Sequence, residues 1–340
     1  MHNQEKFLQL RKENPVFTYE GFDYQITDNQ IDIKFHFRIG EDIKFAPAMH
    51  LNPGRHRISE IPADVCENLI FHIGLIELIS YWKCACSPIV HVRGYRLSVD
   101  QQQWWKKLYW KGLGEFFYQN GITSSIDDFL QFRFDEDAQP IAQLKCQKVA
   151  ESNRVIVPIG GGKDSVVTLE QLRKEREIVP FIINPRGATL ECARIAGFPD
   201  LNDIVVLKRQ IDPNLLKINA EGYLNGHTPF SAMLAFYSLL VSTATSVRDV
   251  ALSNESSANE PTIPGTEINH QYSKSVEFEQ DFRYYVKTYL GDTNHYYSYL
   301  RQYCELEIAR FFAQYPQYFP VFKSCNAGSK TDIWCCNCPK

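Results

Sequence analysis

No apolar run in this chain is long enough to cross a bilayer: the longest, around Ala232 to Val241, falls far short of the ~20 residues a spanning helix requires. The opening MHNQEKFLQLRKEN is too polar for the core of a signal peptide, so a cytoplasmic protein with no membrane partner is expected. Positive charge is also short. Against 40 Asp and Glu stand 36 Lys and Arg, a formal balance of −4. That disfavours tight binding to a phosphate backbone, which depends mainly on clustered Lys and Arg, so no nucleic-acid partner is expected. Internal repeats and low-complexity linkers are lacking as well. So is the even cysteine spacing of a disulfide framework: the ten cysteines are sparse until Cys325, Cys335, Cys336 and Cys338 crowd together. In a reducing compartment such a cluster reads as metal-binding or catalytic before it reads as disulfide.

What is present is ordinary globular material, 44% hydrophobic and 22% charged, in a chain whose 340 residues suggest two domains. Ile31, Ile33, Phe35, Phe37 and Ile39 alternate with polar residues, the period of a half-buried strand, and antiparallel pairing is expected there. From Pro62, the spacing of Val65, Leu69, Ile73 and Ile76 predicts an amphipathic helix. A second helix is expected from Asp100, with Gln103 as capping partner, through Trp104, Leu108 and Phe116. Residues 1–148 therefore read as an α+β domain. Residues 149–340 have another rhythm. Apolar runs at 154–159, 178–184, 204–207 and 249–254 alternate with helical patterns at 165–175, 188–196 and about 229–245. This predicts an α/β fold, a parallel sheet with helices on both faces. Ligands of such sheets bind at the carboxyl ends of the strands, which points to the loops at Gly160, Asn184 and Ser253.

The first of those loops is Gly160-Gly161-Gly162-Lys163-Asp164-Ser165, between a strand and a helix. Glycines let backbone amides approach an anion, and the helix N-terminus adds a favourable dipole, so the unit reads as a phosphate cradle. It is neither a Walker A loop nor G-x-G-x-x-G. The polar block Ser253-Asn254-Glu255-Ser256-Ser257-Ala258-Asn259-Glu260 should face the same sheet edge, where Asn and Glu can fix a polar substrate or a metal. Further on, His270 and Lys274 stand at i,i+4, so a helical turn would put an imidazole and an ammonium on one face. Gly226-His227-Thr228 is a third polar loop.

The strand-GGGKDS-helix unit resembles the PP-loop of the ATP pyrophosphatase superfamily, usually Ser-Gly-Gly-x-Asp-Ser, with Gly160 in the first serine's place. The resemblance implies ATP cleavage between the α and β phosphates. Gly160, Gly161, Gly162, Lys163, Asp164 and Ser165 would form the ATP loop, Asp164 would also contact Mg²⁺, and Asn184 would lie near the adenosine. A wider set, in order, is GLGEFFYQNG at Gly112–Gly121, GGGKDS, NGHTPFSA at Asn225–Ala232, LSNESSANE, EINHQYSKS at Glu267–Ser275, FRYYV, and SCN followed by WCCNCPK. It resembles the bacterial UDP-N-acetyl-α-D-muramoyl-L-alanyl-L-glutamate epimerases. That resemblance implies ATP- and Mg²⁺-dependent inversion of the terminal L-glutamate of a UDP-linked muramoyl dipeptide, through an acyl-adenylate, in peptidoglycan precursor synthesis. His270 and Lys274 are then the leading acid/base candidates, with Glu255 and His227 behind them. Asn254, Asn259 and Tyr272 are candidates for positioning the substrate.

Cys325-x9-Cys335-x2-Cys338 has the spacing of a zinc site. It resembles that of the 7-cyano-7-deazaguanine synthases, another PP-loop family, in which one more Cys follows. Here a fourth ligand would come from beyond Lys340, or from Cys336 or Cys304. Two other functions compete: such a synthase or a tRNA-modifying PP-loop enzyme, against which the extra N-terminal region and the acidic balance weigh, and a non-catalytic nucleotide sensor.

Overall fold

The computed structural model describes residues 3–56, 58, 61–145, 152–261, 269–325, 328 and 331–337. The N-terminal part comprises α1 (Asn3–Glu13), β1 (Val16–Thr27), β2 (Gln30–Ile39), β3 (Ile43–Phe45), β4 (Ala48–Asn52), α2 (Ala63–Trp82), β5 (Ile89–Val92), β6 (Tyr95–Arg96), α3 (Val99–Gly112), α4 (Gly114–Gln119), β7 (Gln131–Phe134) and β8 (Gln139–Pro140). There follow β9 (Arg154–Pro158), α5 (Lys163–Leu172), β10 (Glu177–Ile183), α6 (Gly187–Ile195), β11 (Val205–Gln210), α7 (Pro213–Ala220), α8 (Phe230–Thr245), β12 (Asp249–Leu252), α9 (Val276–Tyr289), β13 (His295–Ser298) and α10 (Glu305–Phe312).

The alternation in β2 buries Ile31, Ile33, Phe35, Phe37 and Ile39, and the strand pairs antiparallel with β1, β3 and β4. Helix α2 departs from the expected amphipathic form. Every residue from Asn68 to Trp82 is buried, because the sheet covers one side and α8 another. The approach is close enough that a Cβ on Gly74 would collide with the Tyr19 ring. The second predicted helix begins two residues earlier than expected. Ser98 Oγ accepts the Gln101 N–H at 3.2 Å while the Gln101 side chain accepts the Ser98 N–H at 2.9 Å, so Ser98, not Asp100, is the cap. The helix stops at Gly112, and Phe116 belongs to α4.

Eleven strands form one mostly parallel sheet in the order β13-β12-β9-β10-β11-β4-β2-β1-β5-β7, with β3 on β2. From β9 the chain steps through β10 to β11 on one side, then returns to lay β12 and β13 on the other. The strand order therefore reverses between β9 and β12, the place where open α/β sheets bind ligands. β4 pairs antiparallel with β11, Leu51 opposite Leu207, so the sheet continues from one sequence region into the other. Along β9–β12 alternate residues enter two cores. Ile156, Phe181, Leu207 and Val250 face α2 and α8, whereas Val157, Ile182, Val206 and Ala251 face α5, α6 and α10. The α/β class with helices on both faces is thus present. The boundary expected at 148/149 lies outside the described residues.

Candidate active site

The glycine loop joins β9 to α5 at the point where the strand order reverses. Gly161 has φ +80°, and a Cβ there would lie 2.9 Å from the Ala188 backbone, so α6 packs against the loop only because this residue is glycine. At Gly160 a Cβ would meet nothing within 4 Å. The tail of the chain straps the loop from outside. Lys323 N–H donates to the Gly161 carbonyl at 2.8 Å, and Lys163 N–H to Ser324 Oγ at 3.1 Å. Asp332 Oδ1 accepts the Ala188 N–H at 2.8 Å, and the Trp334 ring packs on Phe322 with centroids 5.2 Å apart.

Beside the loop opens a cavity of about 350 Å³. Gly160, Gly162, Asp164 and Ser165 line it from the first loop, Ser253 and Asn254 from the loop after β12, Arg186 and Thr189 from the start of α6, and Phe230 and Ser231 from the start of α8. Lys274, Lys323, Ser324 and Cys325 complete the wall. Lys163 turns aside to Asp164 and, at 2.8 Å, to Glu305; burial lowers its pKa, but the two carboxylates outweigh this and raise it. Burial raises the Glu255 carboxyl, and the Glu305 and Asp164 carboxylates raise it further. Arg301 ties two segments together. Its guanidinium donates to the Glu255 carbonyl at 2.9 Å, the Lys274 carbonyl at 2.5 Å and Ser298 Oγ at 3.0 Å, and Asn254 Nδ2 donates to the same hydroxyl at 3.0 Å.

The fold therefore gathers most of the predicted ATP loop with Asn254 and Lys274, and Glu255 stands beside Glu305 and Asp164. Other candidates are engaged elsewhere. Asn184, at φ +48°, donates to the Arg209 carbonyl at 3.1 Å and accepts its N–H at 2.7 Å, finishing the β10–β11 edge. Asn259 Oδ1 accepts the Val276 N–H at 2.8 Å near the start of α9. Tyr272 is buried with its ring against Phe278. Residues Tyr272–Lys274 form a 3₁₀ turn that begins after the exposed His270, so the expected helical turn spanning both His270 and Lys274 is absent.

His227 lies in a second cluster, with Nδ1 3.1 Å from Glu115 Oε2. Its loop is held by Lys83, whose ammonium, brought down to about 8 by burial, donates to the Gly226 carbonyl and to Thr228 Oγ1. Lys83, Glu115, Arg301 and Glu305 are absent from the sequence-based candidates; Glu115 alone carried a signal, inside the GLGEFFYQNG segment.

Cys325 is buried, and its Sγ accepts N–H groups from Gly328 at 3.1 Å and Cys335 at 3.3 Å. A sulfur held among backbone N–H groups suits a zinc ligand. Cys338 lies outside the described residues. Among the described residues no group of three His, Cys, Asp or Glu side chains could by itself hold a metal, and no helix is long and apolar enough to cross a membrane.

The family of the MurL N-terminal domain matches residues 9–299. A protein of Salinispora tropica named UDP-N-acetyl-alpha-D-muramoyl-L-alanyl-L-glutamate epimerase is 37% identical over 241 residues, 68% of this chain and 50% of the relative. Proteins of the same name from Xanthomonas oryzae pv. oryzae and a Micromonospora species are each 36% identical, over 78% and 68% of this chain. The chain spans 50–59% of the length of these relatives. With a glycine-loop cavity at the reversal of the sheet and a match over most of its residues, the chain belongs to the MurL N-terminal domain family.

Proposed function

We propose that the chain performs the ATP-dependent epimerisation of the terminal L-glutamate of UDP-N-acetylmuramoyl-L-alanyl-L-glutamate. One observation carries this reading: Asp164, Ser165 and the glycine loop share one cavity with Asn254 and Lys274. Loop amides and the N-terminus of α5 suit phosphates, and Asn254 and Lys274 suit a polar, anionic substrate.

The chemistry explains why ATP is needed. Removing the α-hydrogen beside an ionised carboxylate would add negative charge to negative charge. In the proposed sequence the carboxylate oxygen attacks the α-phosphorus of ATP; the O–P bond to pyrophosphate breaks, and the carboxyl group, now an uncharged acyl group of the mixed anhydride with the anionic AMP phosphate, makes the α-hydrogen far more acidic. A base takes that proton, an acid returns one to the opposite face, and water then cleaves the mixed anhydride to D-glutamate and AMP. Asp164 would hold Mg²⁺, and the ion would supply positive charge to neutralise the phosphates. A single carboxylate fits this ion, which keeps waters and phosphate oxygens for its other positions. Lys274, in the cavity wall, and His227, beside it, are proton-transfer candidates, with His270 and Glu255 nearby.

The test is incubation with that substrate, ATP and Mg²⁺, followed by chiral analysis of the glutamate and of the nucleotide products. D-Glutamate with AMP and pyrophosphate is expected, and ADP as the main product would overturn the reading. Asp164→Ala should lose both inversion and AMP formation while its circular dichroism stays native, because the half-buried carboxylate supports no core. Turnover of a deazaguanine carboxylate instead would favour the synthase alternative, for which the closeness of Cys325 and Cys335 to the cavity speaks.

A further inference from the structure

Two segments of the family resemblance, Gly112–Gly121 and Asn225–Ala232, are largely unused by the nucleotide cavity, yet the fold presses them together. A Cβ on Gly112 would lie 3.0 Å from the Pro229 ring, and one on Gly226, at φ +153°, would lie 3.0 Å from the Phe116 ring. Asn120 Nδ2 donates to the Asn225 carbonyl at 3.1 Å. Glu115 reaches across this junction to His227 Nδ1 at 3.1 Å. From a third direction Lys83, just past the end of α2, donates to the Gly226 carbonyl and to Thr228 Oγ1, fixing the chain on both sides of the imidazole. No carboxylate touches that buried ammonium among the described residues. Three stretches distant in sequence thus converge on one ring.

We propose that His227 is a proton-transfer group of the reaction and that Glu115 and Lys83 are its positioning residues, which set its tautomer and its basicity. This rests on the epimerase reading above. A carboxylate beside Nδ1 favours the proton on that nitrogen and leaves Nε2 with its lone pair, the arrangement of a base oriented by a third group. In the step itself, Nε2 takes the α-proton of the activated glutamate while the C–H electron pair remains on the substrate as an enolate. A second group then delivers a proton to the opposite face, so no oxidant or reductant is consumed. The charged and titratable groups facing the ring are Glu115 from α4, Lys83 from the end of α2, and His270 and Lys274 from the segment before α9. Burial lowers the imidazole pKa, Glu115 raises it, and Lys83, His270 and Lys274 lower it, so the net shift is downward, towards the basic form of the ring. Lys274 belongs to this set and to the cavity wall, so the ring and the cavity share a charged neighbour.

A purely structural role makes a different prediction from this one. In ¹⁵N-histidine-labelled chain, with His227→Gln to assign the signal, the His227 titration should move down in Glu115→Gln and up in Lys83→Gln. Each shift should be about half a pH unit or more, since one charge near the ring is changed. Lys83→Arg, which keeps the charge, should stay near the wild-type value. The acid limb of kcat/KM for ATP-dependent exchange of the glutamate α-hydrogen into D₂O should follow the same opposite directions. His227→Gln should lose exchange ~10²–10⁴-fold more than it loses pyrophosphate release, the usual contribution of a positioned acid/base group. Shifts of the same sign in both variants, no shift in either, or exchange retained in His227→Gln would overturn the proposal. A wild-type chain that exchanges no α-hydrogen would instead count against the epimerase reading, and the titration, which needs no turnover, would still decide whether Glu115 and Lys83 control the ring.

Discussion

Gly160 and Gly161 are neighbours under opposite constraints. At Gly161 an alanine would need a left-handed backbone and would push into α6 at 2.9 Å, so Gly161→Ala should cost roughly 1–3 kcal/mol in urea unfolding and loosen the cradle. At Gly160 nothing stands within 4 Å, and Gly160→Ser should change stability by less than about 0.5 kcal/mol, as an unconstrained site does. A different residue sets the response to acid. His72, fully buried in α2, donates from Nδ1 to the Asn68 carbonyl at 2.8 Å and accepts from the Tyr285 hydroxyl at Nε2 over 3.0 Å. Burial pulls its pKa down to about 4. The unfolded chain, with a histidine near 6.5, therefore binds the proton first. This contribution is complete above about pH 6.5 and is lost as pH falls towards 4. Between pH 7 and 5 the loss should reach about 1–2 kcal/mol, and His72→Gln should flatten that part of the stability profile.

Among the elements, the alternation of β9 to β12 with α5, α6 and α8 was legible because buried parallel strands are continuous apolar runs closed by turn residues. The positions of the glycine loop between β9 and α5 and of the polar loop after β12 followed from the same pattern. The environment of α2 was not legible: one stripe of Val65, Leu69, Ile73 and Ile76 does not reveal that a second helix covers the opposite side. Nor was the meeting of Lys83 and Glu115 with His227, since these residues lie in separate stretches that only tertiary packing joins. Nor was the part the Asn184 amide plays in the sheet, where it bonds the backbone of Arg209 on the adjacent strand. The tail segment after α10 makes its own prediction. If Cys325 and Cys335 belong to a zinc site, purified chain should carry close to one zinc, and Cys325→Ser should lose it. Chelation should then lower the melting temperature, because metal binding is linked to folding. Metal-free protein of unchanged stability would assign these thiols to packing alone.

At the scale of the whole molecule, the pairing of β4 with β11 makes the two sequence regions complete one sheet, and a buried ion pair locks them further. Arg209 grips Glu77 with two hydrogen bonds, at 2.7 and 2.9 Å, and Tyr237 donates its hydroxyl to the same carboxylate. Arg209→Met would leave that carboxylate buried without its cation and should cost about 3–5 kcal/mol in urea unfolding, whereas pairing it with Glu77→Met should recover most of the loss. A similar single-variant cost without recovery would show that shape, not charge, holds the junction. The strap across the glycine loop has an optical consequence. Of the five tryptophans, Trp82, Trp104, Trp105 and Trp110 sit in or next to the α2–α3 region, while Trp334 alone rides on the strap, 42% exposed against Phe322. The molecule thus carries its own fluorophore at the glycine-loop end of the cavity, and the emission lost in Trp334→Phe is a direct signal of whether added nucleotide tightens the strap.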